Sequence, residues 1–246
     1  MNNDKNNAAQ NNLSTTKATD GVPSALNDMD ALSQYLKTTA GVREGRAIPP
    51  LEKWNPQNVA DMDLVIKANG EWWHEGSKVT RESLVSLFAS ILWKEESEGV
   101  TEYFLKTPVQ KIRIQVEDAP LFITDVGIIN ENDSNWLEFT TTTGDVVRLD
   151  DKHSITLKTY NSDDNDAINV AVSSASTDAN TENPHQLASD ASVRPYMMVR
   201  NGLTALINRN TFYHLIDIGE LSEKDGNTIL TLNSGGNDYQ LSMPTN

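Results

Sequence analysis

The sequence predicts an α+β fold built from antiparallel sheets, in which a motif of one helix followed by strands occurs twice. Residues 103–121 alternate apolar and charged side chains, as a strand with one buried face does. Residues 81–93 and 202–217 each place apolar side chains at helical spacing, and two strands are predicted after each of them. Together these observations favour two similar halves with antiparallel sheets.

The strand within 103–121 also carries the first functional indication. Ile112, Ile114 and Val116 share one face, and Lys111 and Arg113 lie on the other. The buried face predicts packing against a core. The open face presents two cations in a chain whose net charge is -15. An anionic ligand is therefore a candidate occupant of this face.

The remaining elements follow from local signals. Residues 24–38 predict a short amphipathic helix, and Asn69-Gly70 predicts a β-hairpin with a type I′ turn, which needs two positive φ angles. Thr80 is the expected N-cap of the helix 81–93. The further predicted strands are 103–106, 109–116, 121–129, 136–141, 146–149, 154–160 and 195–200, with a last hairpin at 228–243.

Composition divides the chain into regions that can and cannot fold. Only 37% of its 246 residues are hydrophobic, and residues 1–23 and 161–192 contain few side chains to bury. The predicted organisation is a disordered tail 1–45 containing the helix 24–38, an N-terminal α+β domain 46–108, and a C-terminal β-rich domain 109–246 with a disordered acidic insert 161–192.

Charge and composition exclude several classes of protein. The 35 acidic residues against 20 Lys and Arg oppose binding to nucleic acid and to anionic membranes. The absence of cysteine excludes disulfides and thiolate chemistry. The N-terminus has no apolar core of a secretory signal, and no apolar run reaches the ~18 residues of a membrane span. We expect a cytoplasmic protein that binds neither a nucleic-acid polymer nor a membrane.

The common catalytic and cofactor motifs are absent from the sequence. Neither a phosphate-binding P-loop nor a dinucleotide-binding glycine pattern occurs, and there is no nucleophile elbow. The acidic run at 163–166 lacks the glycine and glutamate of an EF-hand loop, and the four histidines lack the spacing of a zinc site. We therefore predict no metal, no cofactor and no catalytic residue.

A set of short motifs indicates a family. They are Trp54-Asn55-Pro56, Gly70-x-Trp72, Tyr103-Phe104-Leu105-x-Thr107-Pro108-Val109-x-Lys111, Val116-Glu117-Asp118-Ala119-Pro120 and Gly202-Leu203-x-Ala205-Leu206. In this order the chain resembles the bacterial domain-of-unknown-function family numbered 1285, across roughly residues 48–243. The acidic insert and the long tail depart from the compact family pattern.

The resemblance carries expectations of its own. It implies an α+β protein with a duplicated motif, whose C-terminal half resembles a pleckstrin-homology-like barrel. It also implies a nucleotide-like ligand between the two domains and a role near signal transduction. No catalytic residues are established for the family, so the resemblance transfers none.

The basic side chains supply the candidate ligand site. Residues 106–113 and 194–209 are basic windows without acids, and Arg presents a planar fork matched to phosphate or carboxylate. Pairing with nearby acids on a solvated face is the competing interpretation. Our hypothesis is that Arg113, Arg194 and Arg200 line one cleft between the domains. The candidate ligand-binding residues are Lys111, Arg113, Arg194, Tyr196, Arg200 and Trp72, the aromatic rings stacking on the ligand.

Two alternatives to an anion-binding protein stay open at this stage. Glu117 and Asp118 would serve a divalent-metal-assisted hydrolase of a phosphorylated small molecule. Adjacent carboxylates in a strand point to opposite faces, however, so a structural role for them is the preferred interpretation, one of them accepting a turn N–H or pairing with an Arg. Core packing is likewise preferred for one Trp of the Trp72-Trp73 pair. The third alternative is a protein-interaction module; the oligomeric state stays open.

Overall fold

The computed structural model describes residues 26–39, 48–160 and 192–244, and strands dominate it. The helices are α1 (Met29–Thr39), α2 (Glu82–Ala89) and α3 (Arg209–Ile218), with a 3₁₀ turn at Leu51–Lys53. The strands of the first half are β1 (Asn58–Ile66), β2 (Trp72–His74), β3 (Ser77–Lys78), β4 (Leu92–Ser97), β5 (Val100–Lys106) and β6 (Gln110–Val116). Those of the second half are β7 (Leu121–Glu131), β8 (Ser134–Thr141), β9 (Val146–Arg148), β10 (Ile155–Tyr160), β11 (Ser192–Arg200), β12 (Leu203–Ile207), β13 (Glu220–Lys224), β14 (Asn227–Ser234) and β15 (Asn237–Pro244). The α+β class is confirmed.

Two six-stranded sheets share one strand order. The first runs β3-β2-β1-β6-β5-β4, and the second runs β10-β11-β12-β7-β8-β9. In both, the first strand of the six pairs in parallel with the sixth, and all other neighbours are antiparallel. Each sheet therefore consists of two antiparallel meanders joined at a central parallel pair.

This repeat is larger than the predicted unit of a helix and two strands. Strands follow both helices as expected, but β4 after α2 and β13 after α3 were not among the predicted strands. The helices occupy different places, however: α2 lies between the third and fourth strands of its sheet, whereas α3 follows the sixth. The unit that recurs is the six-stranded sheet. The periodicity of one helix cannot reveal this repeat, because the repeat is defined by pairing between strands that are far apart in the sequence.

The second half contains a third sheet. The strands of this half form no closed barrel in the described residues. β13, β14 and β15 make a three-stranded antiparallel meander. The second six-stranded sheet ends in β9 and β10, which are edge strands rather than neighbours. None of the described helices is long and apolar enough to cross a membrane.

Helices α1 and α2 are shorter than predicted. α1 begins at Met29 rather than near residue 24, because the Asp28 side chain accepts the N–H of Ala31 and caps it. α2 stops at Ala89, and Leu92 already pairs with Leu105 in β4–β5. Its N-cap is Arg81 instead of Thr80. Sheet pairing overrides the helical spacing of the last residues before 93.

The predicted helix 202–217 is wrong in its first third. Residues Leu203–Ile207 form β12, a central strand, and the helix starts only at Arg209. A short apolar run is equally compatible with a buried strand and with a buried helix. Asn208 decides the boundary, since its side chain accepts the Thr211 N–H at 2.7 Å.

The turn at Asn69-Gly70 joins β1 and β2 as predicted, but its type differs. Ile66 pairs with Trp72. Within the turn, the Lys67 N–H donates to the Glu71 carbonyl oxygen and the Gly70 N–H donates to the Lys67 carbonyl oxygen. Gly70 has φ +83°, whereas Asn69 does not enter the positive region. This is a type I turn with a glycine bulge rather than type I′.

One continuous apolar core joins the two halves. The main cluster of buried side chains includes Leu64 and Ile112 from the first sheet and Phe139 and Met197 from the second. Ile112 and Ile114 are buried as their alternation predicted. The predicted boundary at 108/109 falls between β5 and β6, which are paired in the first sheet. The sheets change over between Val116 and Leu121.

The predictions for the tail 1–23 and for nearly all of the insert 161–192 lie outside the described residues. The exception is Ser192, the first residue of β11.

Candidate functional site

The charged face of β6 is neutralised by acids on three other strands of the first sheet, β1, β4 and β5. Lys111 Nζ lies 2.6 Å from a Glu95 oxygen, and Arg113 contacts Asp61 and Glu102, each at 2.8 Å. Both cations also lie over the ring of Phe104. Lys111 and Arg113 thus belong to a network of ion pairs, the competing interpretation for surface cations. Arg113 lines neither of the two cavities considered below.

The two aromatic candidates are buried. Trp72 is 4% exposed within the main core, so its ring is not available to stack on a ligand in this structure. Tyr196 is 6% exposed, and its hydroxyl donates to Asp118 at 2.7 Å. Burial raises the pKa of Tyr196, and the hydrogen bond to the Asp118 carboxylate raises it further. Tyr196 packs beside Phe122 and Leu206 in a small separate cluster.

Arg200 connects the two halves. Its Nε donates to Asp145 at 2.8 Å, and its Nη2 donates to the carbonyl oxygen of Ala89 at the end of α2. The Asp145 carboxylate is also hydrogen-bonded to the hydroxyls of Thr141 and Thr143. Both side chains of the ion pair are nearly buried, with 12% and 4% exposed. This arrangement holds the halves together, and ligand binding would have to disrupt it.

Arg194 lies near the start of β11, the second strand of the second sheet, and reaches Asp118 in the connection between the two sheets. Its Nη1 contacts Asp118 at 2.7 Å, and its guanidinium lies 3.6 Å from the ring centre of Tyr160. Lys158 is its cross-strand neighbour in β10 and lies over the ring of Tyr196. The Arg194 side chain is 28% exposed.

Glu117 and Asp118 have the structural role that we expected. Glu117 accepts the N–H of Ala68 at 3.0 Å and the Lys67 ammonium at 2.6 Å, both in the β1–β2 turn. Asp118 instead bonds to Arg194 and Tyr196 of β11. No group of three metal-ligating side chains occurs in the part of the chain that the structure describes.

A cavity of about 650 Å³ opens where the β1–β2 turn meets the second half, and we call it the arginine cavity. Its polar lining consists of Arg194, Asn208, Arg209 and Tyr213. Its apolar lining consists of Ala68, Phe122, Val193, Pro195, Leu206, Ile207 and Phe212. Ala68 comes from the first half and all the other residues from the second. The cavity therefore lies at the junction where a ligand was expected.

The lining of the arginine cavity is cationic without carboxylates. Arg209 is exposed, and its Nε donates to the Tyr213 hydroxyl at 2.8 Å. It has no carboxylate within ion-pair distance among residues 26–39, 48–160 and 192–244. Arg194, the other arginine of the lining, is ion-paired with Asp118. An anion entering the cavity would meet two guanidinium groups and no carboxylate in the lining.

The helix α3 adds to this potential. Asn208 and Arg209, at its start, both line the cavity. The N-terminus of a helix carries a partial positive charge and backbone N–H groups without intrahelical acceptors. The same anion would therefore be stabilised by the helix as well as by the arginines.

A second cavity, of about 580 Å³, has a different charge balance. Arg148, Arg200 and His153 line it together with Glu138, Asp145 and Asp150. Arg148 is bound by Glu138 and Glu131, and His153 Nδ1 lies 2.9 Å from Asp150. Three carboxylates and two guanidinium groups line this cavity, so its lining is not predominantly cationic. Arg194 and Arg200 line different cavities, and the three arginines of our hypothesis do not share one cleft.

Comparison with known families gives two matches along the chain. Residues 49–119 match "Domain of unknown function (DUF1285), N-terminal domain", and residues 174–241 match "Protein of unknown function (DUF1285), C-terminal domain". A crystal structure of a DUF1285 family protein from Silicibacter pomeroyi DSS-3 is 30% identical and covers 85% of this chain and 94% of its own, with a TM-score of 0.59. The chain belongs to the DUF1285 family.

A second DUF1285 family protein of known structure comes from Shewanella baltica OS155. It is 26% identical and covers 63% of this chain and 91% of its own, with a TM-score of 0.39. No curated protein matches the chain. The family matches at residues 49–119 and 174–241 confirm the resemblance drawn from the short motifs.

Several residues of the arginine cavity in this DUF1285 member are absent from the predicted ligand set. Arg209 belongs to the basic window 194–209, which is a signal that the sequence offers. Phe122, Phe212 and Tyr213 carry no such signal, because apolar residues of a strand and a helix normally indicate core packing. Only the pairing of β12 with β7 brings them together.

Proposed function

We propose that this DUF1285 protein binds a small anionic ligand in the arginine cavity, at the junction of its two halves. The observation that carries the proposal is Arg209, an exposed guanidinium without an ion pair among the described residues, in a cavity whose lining contains no carboxylate. An unopposed guanidinium attracts an anion at 4 Å by on the order of 4 kcal/mol near a protein surface, before desolvation. Such a site needs a compensating anion more than an ion-paired surface does.

We favour binding over hydrolysis. The hydrolase alternative required Glu117 or Asp118 to hold a metal or a water. Glu117 is engaged by the β1–β2 turn and Asp118 by β11, so both carboxylates already have structural partners. We further propose that the protein acts in the cytoplasm as a ligand sensor in signal transduction, without binding nucleic acid or membranes. Its acidic charge supports the last point.

The division into units belongs to the same proposal. We infer an N-terminal and a C-terminal unit, with the ligand between them, and the six-stranded repeat supports two such units. We also propose that the C-terminal unit resembles a pleckstrin-homology-like fold, because a run of mostly antiparallel strands precedes the helix α3 in it. The end of the N-terminal family match at residue 119 favours a boundary just after β6.

A thermal-shift screen with inorganic phosphate, AMP and small carboxylates tests the proposal. An anion at a hundred times its dissociation constant stabilises the native state by about 2.7 kcal/mol. We expect Arg209→Gln to weaken binding about tenfold or more, because a charged hydrogen bond contributes about 1.5–3 kcal/mol. Arg113→Gln is the matched control, since Arg113 is an exposed arginine outside the cavity.

The outcomes separate the proposal from its alternatives. A stabilising anion whose effect is lost in Arg209→Gln and kept in Arg113→Gln supports the site. If no anion stabilises the wild type, or if the effect survives unchanged in Arg209→Gln, the arginine cavity is not the binding site.

A further inference from the structure

The lining of the arginine cavity discriminates between classes of anion. Seven of its eleven side chains are fully apolar, two are arginines, and only Asn208 and Tyr213 are neutral and polar. A site of about 650 Å³ lies in the range of small-molecule sites, which are mostly apolar with a few polar anchors. In this cavity the charged anchoring groups are the two arginine side chains, and most of the remaining lining is apolar.

The two neutral polar side chains are already engaged. The Asn208 side-chain oxygen accepts the Thr211 N–H at 2.7 Å as the cap of α3. The Tyr213 hydroxyl accepts the hydrogen bond from Arg209 Nε. The Asn208 amide N–H groups and the Tyr213 O–H remain as donors, but the lining contains no carboxylate to accept the amino N–H groups of a nucleobase. Each polar group left unpaired in a buried site costs about 1–3 kcal/mol, so a nucleobase would be disfavoured there.

The apolar wall is continuous with a fixed hydrophobic cluster. Phe122 packs with Tyr196, Leu206 and Ala119. Gly70 lies against the Phe122 ring so closely that a Cβ atom would be 2.9 Å from its Cγ. On the outer side the wall ends in Val193 and Tyr213, each 49% exposed. Burying these exposed side chains against an apolar ligand removes further apolar surface from water.

We propose that the ligand of the arginine cavity is an amphipathic organic acid, with an acyl or aryl body and one carboxylate or phosphate group, rather than a nucleotide. The acid group binds Arg194 of β11 and Arg209 at the start of α3. The acyl or aryl body lies along Phe122, Leu206 and Phe212. This inference rests on the proposed function, because it assigns a chemical class to the ligand of that site.

Calorimetric titration with a carboxylate series tests the class directly. Hexanoate, octanoate and decanoate, each below its micellar concentration, are compared with octanol and AMP. Each added methylene buried in the cavity tightens binding about fourfold. Octanol, which lacks the charge, should bind at least tenfold more weakly than octanoate. Stoichiometry of one ligand per chain separates the cavity from non-specific adsorption.

Substitutions of the exposed residues at the outer end of the cavity change the chain-length dependence of binding without changing the stability of the fold. Val193→Ser and Tyr213→Ser alter exposed side chains, so both variants should fold. We expect them to reduce the chain-length dependence while Arg209→Gln reduces the affinity of every acid. Val100→Ser is the control, because Val100 is 61% exposed in the first sheet and lies outside the cavity.

The results distinguish the two proposals. Chain-length dependence that falls in Val193→Ser but not in Val100→Ser supports the amphipathic acid. If AMP binds as tightly as decanoate and depends on Arg209, the ligand class is wrong and the anion-binding function stands. If neither AMP nor any carboxylate binds the wild type, the anion-binding function fails, and the ligand class fails with it.

Discussion

Glu117 and Asp118 are adjacent in the chain and bind opposite sides of the junction between the two halves. Glu117 accepts hydrogen bonds from Lys67 and Ala68 in the first sheet. Asp118 accepts them from Arg194 and Tyr196 in the second. Both residues lie in the bend that follows the end of β6 at Val116, in the connection between the two sheets. One dipeptide thereby links the β1–β2 turn to the start of β11, and Ala68 of that turn and Arg194 of β11 both line the arginine cavity.

Glu117 should make the stability of the protein depend on pH in the acid range. Burial raises its pKa, but the hydrogen bonds from Lys67 and from the Ala68 N–H outweigh this and lower the pKa below the usual 4.5. A carboxylate with a depressed native pKa stabilises the fold fully above its unfolded pKa, and this contribution is lost as the pH falls through the native pKa.

Urea unfolding of wild type and Glu117→Gln between pH 7 and pH 3 measures this contribution. We expect the wild type to be more stable at neutral pH, and the difference to shrink as the pH drops below about 4.5. Because the side chain is 34% exposed, the effect is partly screened by solvent. A difference that stays constant over the whole range would contradict the assignment.

Gly70 is required both by its backbone angle and by its contact with Phe122. Its φ of +83° disfavours any Cβ, and an added Cβ would lie 2.9 Å from Phe122 Cγ. Gly70→Ala should therefore destabilise the protein by about 2–3 kcal/mol, of which the positive φ accounts for about 1.

Gly76→Ala is the matched control, since Gly76 has φ +72° and no atom near the position of a Cβ. The difference between the two variants in urea unfolding measures the Phe122 contact. Equal destabilisation of both variants would show that backbone strain alone accounts for the effect.

The buried ion pair of Arg200 and Asp145 should contribute far more to stability than the exposed pairs of β6. Arg200→Leu leaves the Asp145 carboxylate buried without its counter-ion and removes the bond to Ala89. We expect a loss of about 3–5 kcal/mol. Arg113→Leu, in which the lost pairs are exposed, should cost about 1 kcal/mol or less.

The double variant Arg200→Leu with Asp145→Asn identifies the cause. Removing the charge of Asp145 should recover part of the lost stability, because an uncompensated buried carboxylate is then no longer present. Chemical denaturation of the wild type, Arg200→Leu, Asp145→Asn and the double variant gives the comparison. No recovery in the double variant would indicate that the Ala89 contact, rather than the charge, dominates.

Local patterns predicted the parts of the fold that depend on neighbours in the chain. Ile112 and Ile114 are buried and Lys111 and Arg113 are not, as their alternation requires. The hairpin at Gly70 forms where Asn-Gly predicts it, with a different turn type. The segment 203–207 was predicted wrongly, since an apolar run of five residues has the same local signature in a strand and in a helix.

The candidate site was likewise predictable where it depends on neighbouring residues and not where it depends on distant ones. The basic window 194–209 was visible in the sequence, and two of its arginines line the proposed site. The grouping of Arg113 with Arg194 and Arg200 failed because composition does not reveal partners. Asp145 binds Arg200 across 55 positions, and Asp61 binds Arg113 across 52. Such distant acids decide which cations stay available for a ligand.

The sequence by itself determined the alternation of the strands, the position of the turns, the acidic balance and the family. Each of these depends on residue types at short separations or on the total composition. The tertiary structure alone decided the six-stranded repeat, the strand at Leu203–Ile207 and the residues that surround the arginine cavity. These depend on pairing and burial between segments far apart in the chain, and the free energy of such contacts exceeds that of local propensity.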